Sequence, residues 1–165
     1  MFESEWIHKK DIVKSRLKNL LGVYDKVIYA RKCHVKEVDS KAAKEFQERT
    51  HIQGSVNAKV SLGLFSDDQL VALMTFGKPR FNMHHDWELL RFSTELNCQV
   101  CGAASKLLMH FEEVYKPKSI VSYADRRWSQ GKLYKALGFQ LDHISPPSYW
   151  YFKNCSSILE SRQKY

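Results

Sequence analysis

Residues 102–115 carry one apolar stripe, in which Ala104, Leu107, Leu108, Phe111, Val114 and Tyr115 recur at helical spacing. A helix of this kind has a single face to bury, and Pro117 ends it. The segments before it offer the surface it needs. Ala58–Phe65 and Leu70–Phe76 read as strands, with turn chemistry in Ser66-Asp67-Asp68-Gln69 between them. Gly77-Lys78-Pro79 breaks the second run, and Trp87–Ser93 reads as a further strand. Strands followed by an amphipathic helix predict a mixed α/β (α+β) layer rather than a bundle or a sandwich.

The remaining elements extend this pattern. Val13, Leu17, Leu20 and Leu21 recur at helical spacing among basic residues, and Gly22 fits a C-cap. Residues 1–24 are therefore expected to form an amphipathic helical extension ahead of a domain spanning 25–165. Lys26–Ala30, continuing to Val38, reads as a strand. Asp39 or Ser40 can cap a helix to about Arg49, and His51-Ile52-Gln53-Gly54 reads as a loop. Ser119–Ala124 is a short strand, and Gln130–Leu137 a short helix closed by Gly138. Phe139–Ile144 and Tyr149–Lys153 read as a final strand pair around Ser145-Pro146-Pro147-Ser148. The expected order is β-α-β-β-β-α-β-α-β-β.

The chain of 165 residues is 44% apolar, enough for one globular core. No apolar run approaches the roughly 20 residues of a membrane helix. The first residues lack the basic-then-apolar order of a secretory signal, so a cytoplasmic location without membrane partners is expected. Cys98 and Cys101 form a CxxC, but no second clustered pair accompanies it, and no metal is expected. In a cytosolic chain the four cysteines are expected as free thiols. The net charge of +8 favours an anionic partner such as nucleic acid or a phosphorylated cofactor; solubility alone is the other reading.

The stretch most informative for chemistry runs from Trp87-Glu88-Leu89-Leu90-Arg91-Phe92 into Gln99-Val100-Cys101-Gly102-Ala103-Ala104-Ser105. Small residues let backbone amides approach a ligand, and a helix N-terminus adds open donors and partial positive charge. Together they can cradle a pyrophosphate. Farther on, Tyr134 stands one turn before a helix end. A phenol there can protonate a leaving thiolate, because its reference pKa of about 10 exceeds that of a thiol. A core tyrosine packed on the sheet is the alternative.

These two elements in this order resemble the GNAT (GCN5-related N-acetyltransferase) family. Its cofactor motif, Gln/Arg-x-x-Gly-x-Gly/Ala, is met by Gln99, Gly102 and Ala104, and its later Tyr-x-x-x-Gly-Phe by Tyr134, Gly138 and Phe139. The departures are Ala104 for the commoner glycine and the bulky Cys101 within the turn. The resemblance covers about residues 26–153 and implies a mixed central sheet flanked by helices. It also implies acetyl-coenzyme A, or another acyl-coenzyme A, with its pyrophosphate on the loop amides and its pantetheine arm along Phe92-Ser93-Thr94. Tyr134 would then act as general acid.

A narrower resemblance rests on Ile28-Tyr29-Ala30-Arg31-Lys32-Cys33, His51-Ile52-Gln53-Gly54, Met74-Thr75-Phe76-Gly77-Lys78-Pro79-Arg80, Trp87–Phe92 and Ser122-Tyr123-Ala124-Asp125. These strings look like a domain of phage-encoded proteins, found behind the nuclease of Hef-like homing endonucleases and similar to the Mom group, which modifies adenine in DNA. Ser4-Glu5-Trp6 to Leu21 looks like the tail of such a nuclease domain, and no cleavage activity is expected. The likeness implies roles for Arg91, Asp125 and Tyr134. The residues agree in part: Asp125 at a strand end could accept a proton from, or orient, an exocyclic amine. Arg91 needs an anionic partner, and an Arg91–Asp125 or Arg91–Glu88 pair is the structural alternative.

His51 could serve as a base near neutral pH or merely as a capping residue. Lys78 and Arg80, with His84 and His85 in the same loop, could touch phosphates. Arg126 and Arg127 beside Trp128 form a second basic patch with a stacking surface, unless Trp128 is tucked into the core. Tyr149, Trp150 and Tyr151 read as strand packing. The expectation is thus acyl transfer to an amine, with a nucleobase in phage DNA as the implied acceptor. The competing readings are a cofactor-less DNA-binding module and an inhibitor of a host protein. Oligomeric state is not legible.

Overall fold

A computed structural model describes residues 1–147, 149–152 and 160–161. In chain order the elements are α1 (Glu3–His8), α2 (Lys10–Leu20), β1 (Lys26–Tyr29), a 3-10 turn (Ala30–Lys32), β2 (His34–Glu37), α3 (Ser40–Thr50), β3 (Val60–Ser66), β4 (Gln69–Gly77), β5 (Trp87–Thr94), β6 (Cys98–Cys101), α4 (Ala103–Tyr115), β7 (Ile120–Ser122), α5 (Lys132–Ala136), β8 (Trp150–Tyr151) and β9 (Glu160–Ser161). Among the described residues the main sheet has the order β2-β3-β4-β5-β7, antiparallel except for the parallel β5–β7 edge. The architecture is a mixed α/β one, with helices against a largely antiparallel sheet.

The β3–β4 hairpin is built by its turn. Asp67 and Asp68 sit at φ 47° and 61°, the left-handed pair that matches the twist of the flanking strands. Just past the turn, Phe65 pairs with Leu70 but Leu64 pairs with Ala72, leaving Val71 as a bulged residue. The bulge shifts the alternation by one. Leu70 and Leu73 therefore share one face with Val38, Ala43 and Phe46 under α3. Ala72, Met74 and Phe76 share the other, under Leu107 and Phe111 of α4. Phe76 stacks on Phe111 at 3.6 Å between centroids, and Trp87 meets Phe111 edge-on.

Hydrogen bonds lock α3 to its face. Asp39 caps it by accepting from the amides of Lys41 and Ala42, as expected. Gln47, fully buried, donates to Thr75 and accepts from the Val56 amide, while the Thr50 hydroxyl bonds the Phe46 carbonyl and Ser93. These bonds fix the end of α3, and so His51, against the middle of β4 and β5.

Several expectations need correction. The strand read from Lys26 to Val38 is interrupted by the Ala30–Lys32 turn. Gln99-Val100-Cys101, read as part of a small-residue turn, is strand: β6 pairs in parallel with β1, Val100 opposite Ile28. Phe139–Ile144 is not a strand, and its Leu141 and Ile144 face solvent. Trp150 and Tyr151 pair instead with Ser161 and Glu160. Lys153, read as the end of the last strand, and Cys155 lie outside the described residues. In α2, Leu17, Leu20 and Leu21 are exposed. The buried residues are Ile12, Val13 and Ser15; Ile12 and Val13 pack with Ile52, Leu96 and Trp128. The Ser15 hydroxyl accepts from the Asn97 amide at 2.8 Å. No helix of the described residues is long and apolar enough to cross a membrane.

Candidate active site

The site begins with a defect in β5. Thr75 pairs with Arg91 but Phe76 pairs with Leu89, so Leu90 is an extra residue on β5. Leu90 lies over Gly77, where a Cβ would come within 2.8 Å of its Cδ1. The β5–β7 ladder covers Trp87 to Leu89 only, and the Ser122 hydroxyl closes it on the Leu89 carbonyl at 2.9 Å. Beyond the bulge, Phe92 and Ser93 continue on β5 without β7 beside them. The sheet therefore opens at the bulge, and Phe92 turns toward the α4 side of the core while Ser93 turns to α3.

On the α4 side, Gly102 sits at φ 78°, which lets the chain turn sharply from β6 into the helix. Glycine brings no capping side chain, so the first amides of α4, at Ala103, Ala104 and Ser105, have no intrahelical partner. The first helical bond is from the Lys106 amide to the Gly102 carbonyl at 3.0 Å. The Lys106 ammonium is committed elsewhere, donating to the carbonyls of Ala30 at 3.0 Å and Cys33 at 2.5 Å. It pins the 3-10 turn beside α4. The result is a groove of about 540 Å³ lined by Ala30, Arg31, Cys101, Gly102 and Ser105 among others. Open amides at a helix start beside a groove fit a phosphorylated ligand.

On the α3 side stand the residues singled out for chemistry. Arg91 emerges just after the bulge, opposite Thr75. Its guanidinium donates back to the Leu90 carbonyl at 2.8 Å, and its buried Nε has no partner among the described residues. Burial lowers its pKa, nearby Arg80 lowers it further, and Glu88 and Tyr134 act in the opposite direction. Neither structural alternative for Arg91 is realised as a close ion pair. The fully buried Glu88 is taken by Arg80 through its amide at 2.8 Å, its Nε at 2.9 Å and a third bond at 2.5 Å.

Asp125 is likewise engaged. Its carboxylate accepts from the Arg127 amide at 3.0 Å and the Arg127 guanidinium at 3.1 and 2.5 Å. Burial alone would raise its pKa, but the hydrogen bonds from Arg127 outweigh it and hold the carboxyl below its ordinary value. Arg127 also pairs with Glu5 at 3.1 Å and lies over Phe2 at 4.0 Å, clasping α1. Arg80 and Arg127, expected as phosphate contacts, thus serve internal carboxylates. Lys78 and Arg126 are exposed. Trp128 is partly buried against Ile12, Val13 and Ile52, so the tucked alternative holds.

His51 follows the last residue of α3. Its Nδ1 accepts from the Gln53 amide at 3.2 Å, which places the proton of the neutral ring on Nε2. Burial, then Arg91, Arg16 and Lys9, push its pKa down to about 3. His51 is accordingly neutral near pH 7, with its N–H on Nε2.

Tyr134 owes its position to the cap of α5. The Phe139 amide bonds the Tyr134 carbonyl at 3.0 Å, the Gly138 amide bonds that of Lys135 at 3.1 Å, and Gly138 takes φ 86°. This is a Schellman closure, completed by an edge-to-face contact of Tyr134 and Phe139 at 5.7 Å. The Tyr-x-x-x-Gly-Phe string is therefore a capping device that fixes the tyrosine within electrostatic reach of Arg91.

One member of the cluster escaped the sequence reading. Arg16 of α2 is half-buried, lies over Trp128 at 5.0 Å, and interacts with Asp125, Glu5 and His51. The only signal was its place among buried positions of a helix read for its leucines.

No protein-family model matches the chain, and no curated protein matches it. Among solved structures, an aminoglycoside acetyltransferase from an uncultured soil metagenomic sample, crystallised with trehalose, is similar with a TM-score of 0.52 at 10% identity, over 74% of this chain and 98% of that chain. An integron cassette protein from the mobile metagenome of V. cholerae is similar at 0.49 and 13% identity, over 75% of this chain and 94% of that one. The first likeness shows the fold, a GNAT-like mixed α/β architecture with a central, mostly antiparallel sheet flanked by helices.

Proposed function

We propose that the protein transfers an acyl group from a coenzyme A thioester to an amine. Three features on one core carry this reading: the Leu90 bulge and the end of the β5–β7 ladder on β5, and the uncapped start of α4, whose Ala103 and Ala104 share a packed cluster with Leu89 and Phe92. The amides of Ala103, Ala104 and Ser105, reached past Gly102, would hold the pyrophosphate, with Gln99, Val100 and Cys101 leading the chain into that turn. The open edge at Phe92 and Ser93 would pair with the pantetheine arm. An acyl-coenzyme A supplies the acyl group as an activated thioester.

The remaining work falls to side chains. The acceptor amine forms the new C–N bond as the C–S bond breaks, and the proton gained by sulfur balances the one lost by nitrogen. Tyr134 donates to the leaving sulfur. His51 Nε2–H and Arg91 orient the acceptor, and Asp125 holds the wall formed by Arg127 and α1. The acceptor we infer is an amine on a nucleobase in DNA. The resemblance of those strings to the Mom-like group motivates this, and the +8 charge and the exposed aromatic pair Phe81 and Tyr123, in edge contact at 5.4 Å next to Arg80 and Ser122, support it.

Calorimetry with acetyl-coenzyme A tests the reading, using Gly102→Glu to place a carboxylate against the amides. Binding by the wild type and its loss in the variant are expected. Tyr134→Phe should keep the affinity and lower turnover about 10²-fold or more. A wild type that ignores acetyl-coenzyme A but binds DNA with strong salt dependence would transfer the weight to a cofactor-less DNA-binding module, which the net charge favours.

A further inference from the structure

The cluster on the α3 side carries positive charge that its own carboxylates do not meet. Arg80 is matched by Glu88, and Arg127 by Asp125 and Glu5. Lys9 lies beside Glu48. Arg16 and Arg91 are left. Arg91 uses one donor on the Leu90 carbonyl and keeps a buried, unpartnered Nε. Arg16 is stacked on Trp128 but makes no hydrogen bond among the described residues, and Asp125, whose charge it feels, is already occupied by Arg127. His51 lies between the two elements: its neighbour Thr50 bonds Ser93 of β5 at 3.0 Å, and its other neighbour Ile52 packs with Ile12, Val13 and Trp128, the ring on which Arg16 is stacked; both guanidinium groups act on its imidazole. The Nδ1 of His51 is filled by the Gln53 amide, so its N–H donor is on Nε2.

A desolvated guanidinium without a carboxylate is costly unless a ligand supplies the charge. Two such groups and the N–H donor of the ring they act on match the acceptor geometry of an oxyanion. The cofactor's own phosphates have a different place. They belong to the α4 side, whereas Arg91 stands opposite Thr75, which is bonded to Gln47 of α3 on the other face.

We propose that Arg16, Arg91 and the Nε2–H of His51 form a subsite for an oxyanion of the acceptor, a phosphate or a carboxylate. This rests on the acyl-transfer reading for the word acceptor, though not for the binding itself. The subsite makes the acceptor an amine that carries negative charge, and it gives the N-terminal helices a purpose. α2 is a wall of the acceptor site, delivering Arg16, and the Glu5–Arg127–Asp125 clasp holds α1, which packs on α2.

The test is a titration of the full chain with inorganic phosphate, and separately with acetate and a short single-stranded oligonucleotide. Saturating coenzyme A is present so that the α4 cradle is filled. Wild type, Arg16→Gln, Arg91→Gln and the exposed control Lys14→Gln are compared after their thermal unfolding has been checked. Binding of at least one anion is expected, with Kd raised about tenfold in each arginine variant and unchanged in the control. The anion that binds best identifies the source: monoester phosphate, phosphodiester or carboxylate. Should Arg91→Gln fail to fold, Arg16→Gln and Arg16→Lys carry the test, the lysine retaining part of the affinity. No anion binding by the wild type, or affinities equal across all variants, overturns the subsite. Coenzyme A that does not bind overturns the acyl-transfer reading alone, and the anion titration is then read on the cofactor-free protein with the same expected losses.

Discussion

The imidazole of His51 should make the protein acid-labile in a way that one substitution removes. Its pKa falls from 6.5 to about 3 on folding, chiefly through burial and then through Arg91, Arg16 and Lys9. The unfolded chain therefore binds a proton below pH 6.5 that the folded chain refuses until about pH 3. The contribution favours folding fully above pH 6.5 and is lost as pH falls through the interval. Each pH step in that interval removes about 1.4 kcal/mol, so going from about pH 7.5 to about pH 4.5 removes about 2.7 kcal/mol through this group. Asp125 and Glu48, whose pKa values are lowered, add acid sensitivity of the same sign, so the wild-type slope alone is not diagnostic. The diagnostic quantity is the difference between wild type and His51→Gln, whose amide oxygen can still accept from Gln53. Urea unfolding at the two pH values should show the variant losing about 2–3 kcal/mol less than the wild type over that range. Equal losses would mean that His51 is solvated and protonates freely, and would refute the crowded cationic site around it.

Two further substitutions examine the frame of the site. Glu88→Gln removes the fully buried carboxylate that accepts three hydrogen bonds from Arg80, leaving Arg80 and Arg91 without it; a loss of about 3 kcal/mol is expected in chemical denaturation, little changed by salt. Asp68→Gly relieves a left-handed aspartate in the β3–β4 turn at φ 61° and gives up only an exposed contact to Lys36, so stability should rise by about 0.5–1 kcal/mol in the same assay.

The readable parts of this chain were those whose physics is local. The β3–β4 hairpin announced itself through two aspartates between apolar runs, α3 through Asp39, α4 through its stripe, and the end of α5 through a tyrosine, a glycine and a phenylalanine at Schellman spacing. The illegible parts depend on distant partners. β6 follows Glu95-Leu96-Asn97, whose turn chemistry hides a strand that exists because β1, some seventy positions earlier, lies beside it. Phe139–Ile144 reads as a strand, yet no strand among the described residues pairs with it, so Leu141 and Ile144 remain outside while Phe139 packs against the core.

The bulge at Leu90 was hidden for a different reason. Leu89 and Leu90 are adjacent and both buried, as residues of a sheet covered on both faces are, so the pair reads as ordinary core. The extra residue is visible only in the register with β4, and it turns Arg91 toward α3 rather than α4. Arg16 was obscured by the same kind of assumption in a helix. Leucines at Leu17 and Leu20 suggested the buried face, but the face that meets the domain runs through Ile12, Ser15 and Arg16. A helix that buries an arginine presents a polar stripe, and hydrophobicity assigns such a stripe to solvent. The two residues that sequence patterning would have turned the wrong way, Arg16 and Arg91, are both partly buried and form no close ion pair among the described residues. A local pattern broken at a buried charge, with no carboxylate to receive it, is what a binding site requires of its scaffold.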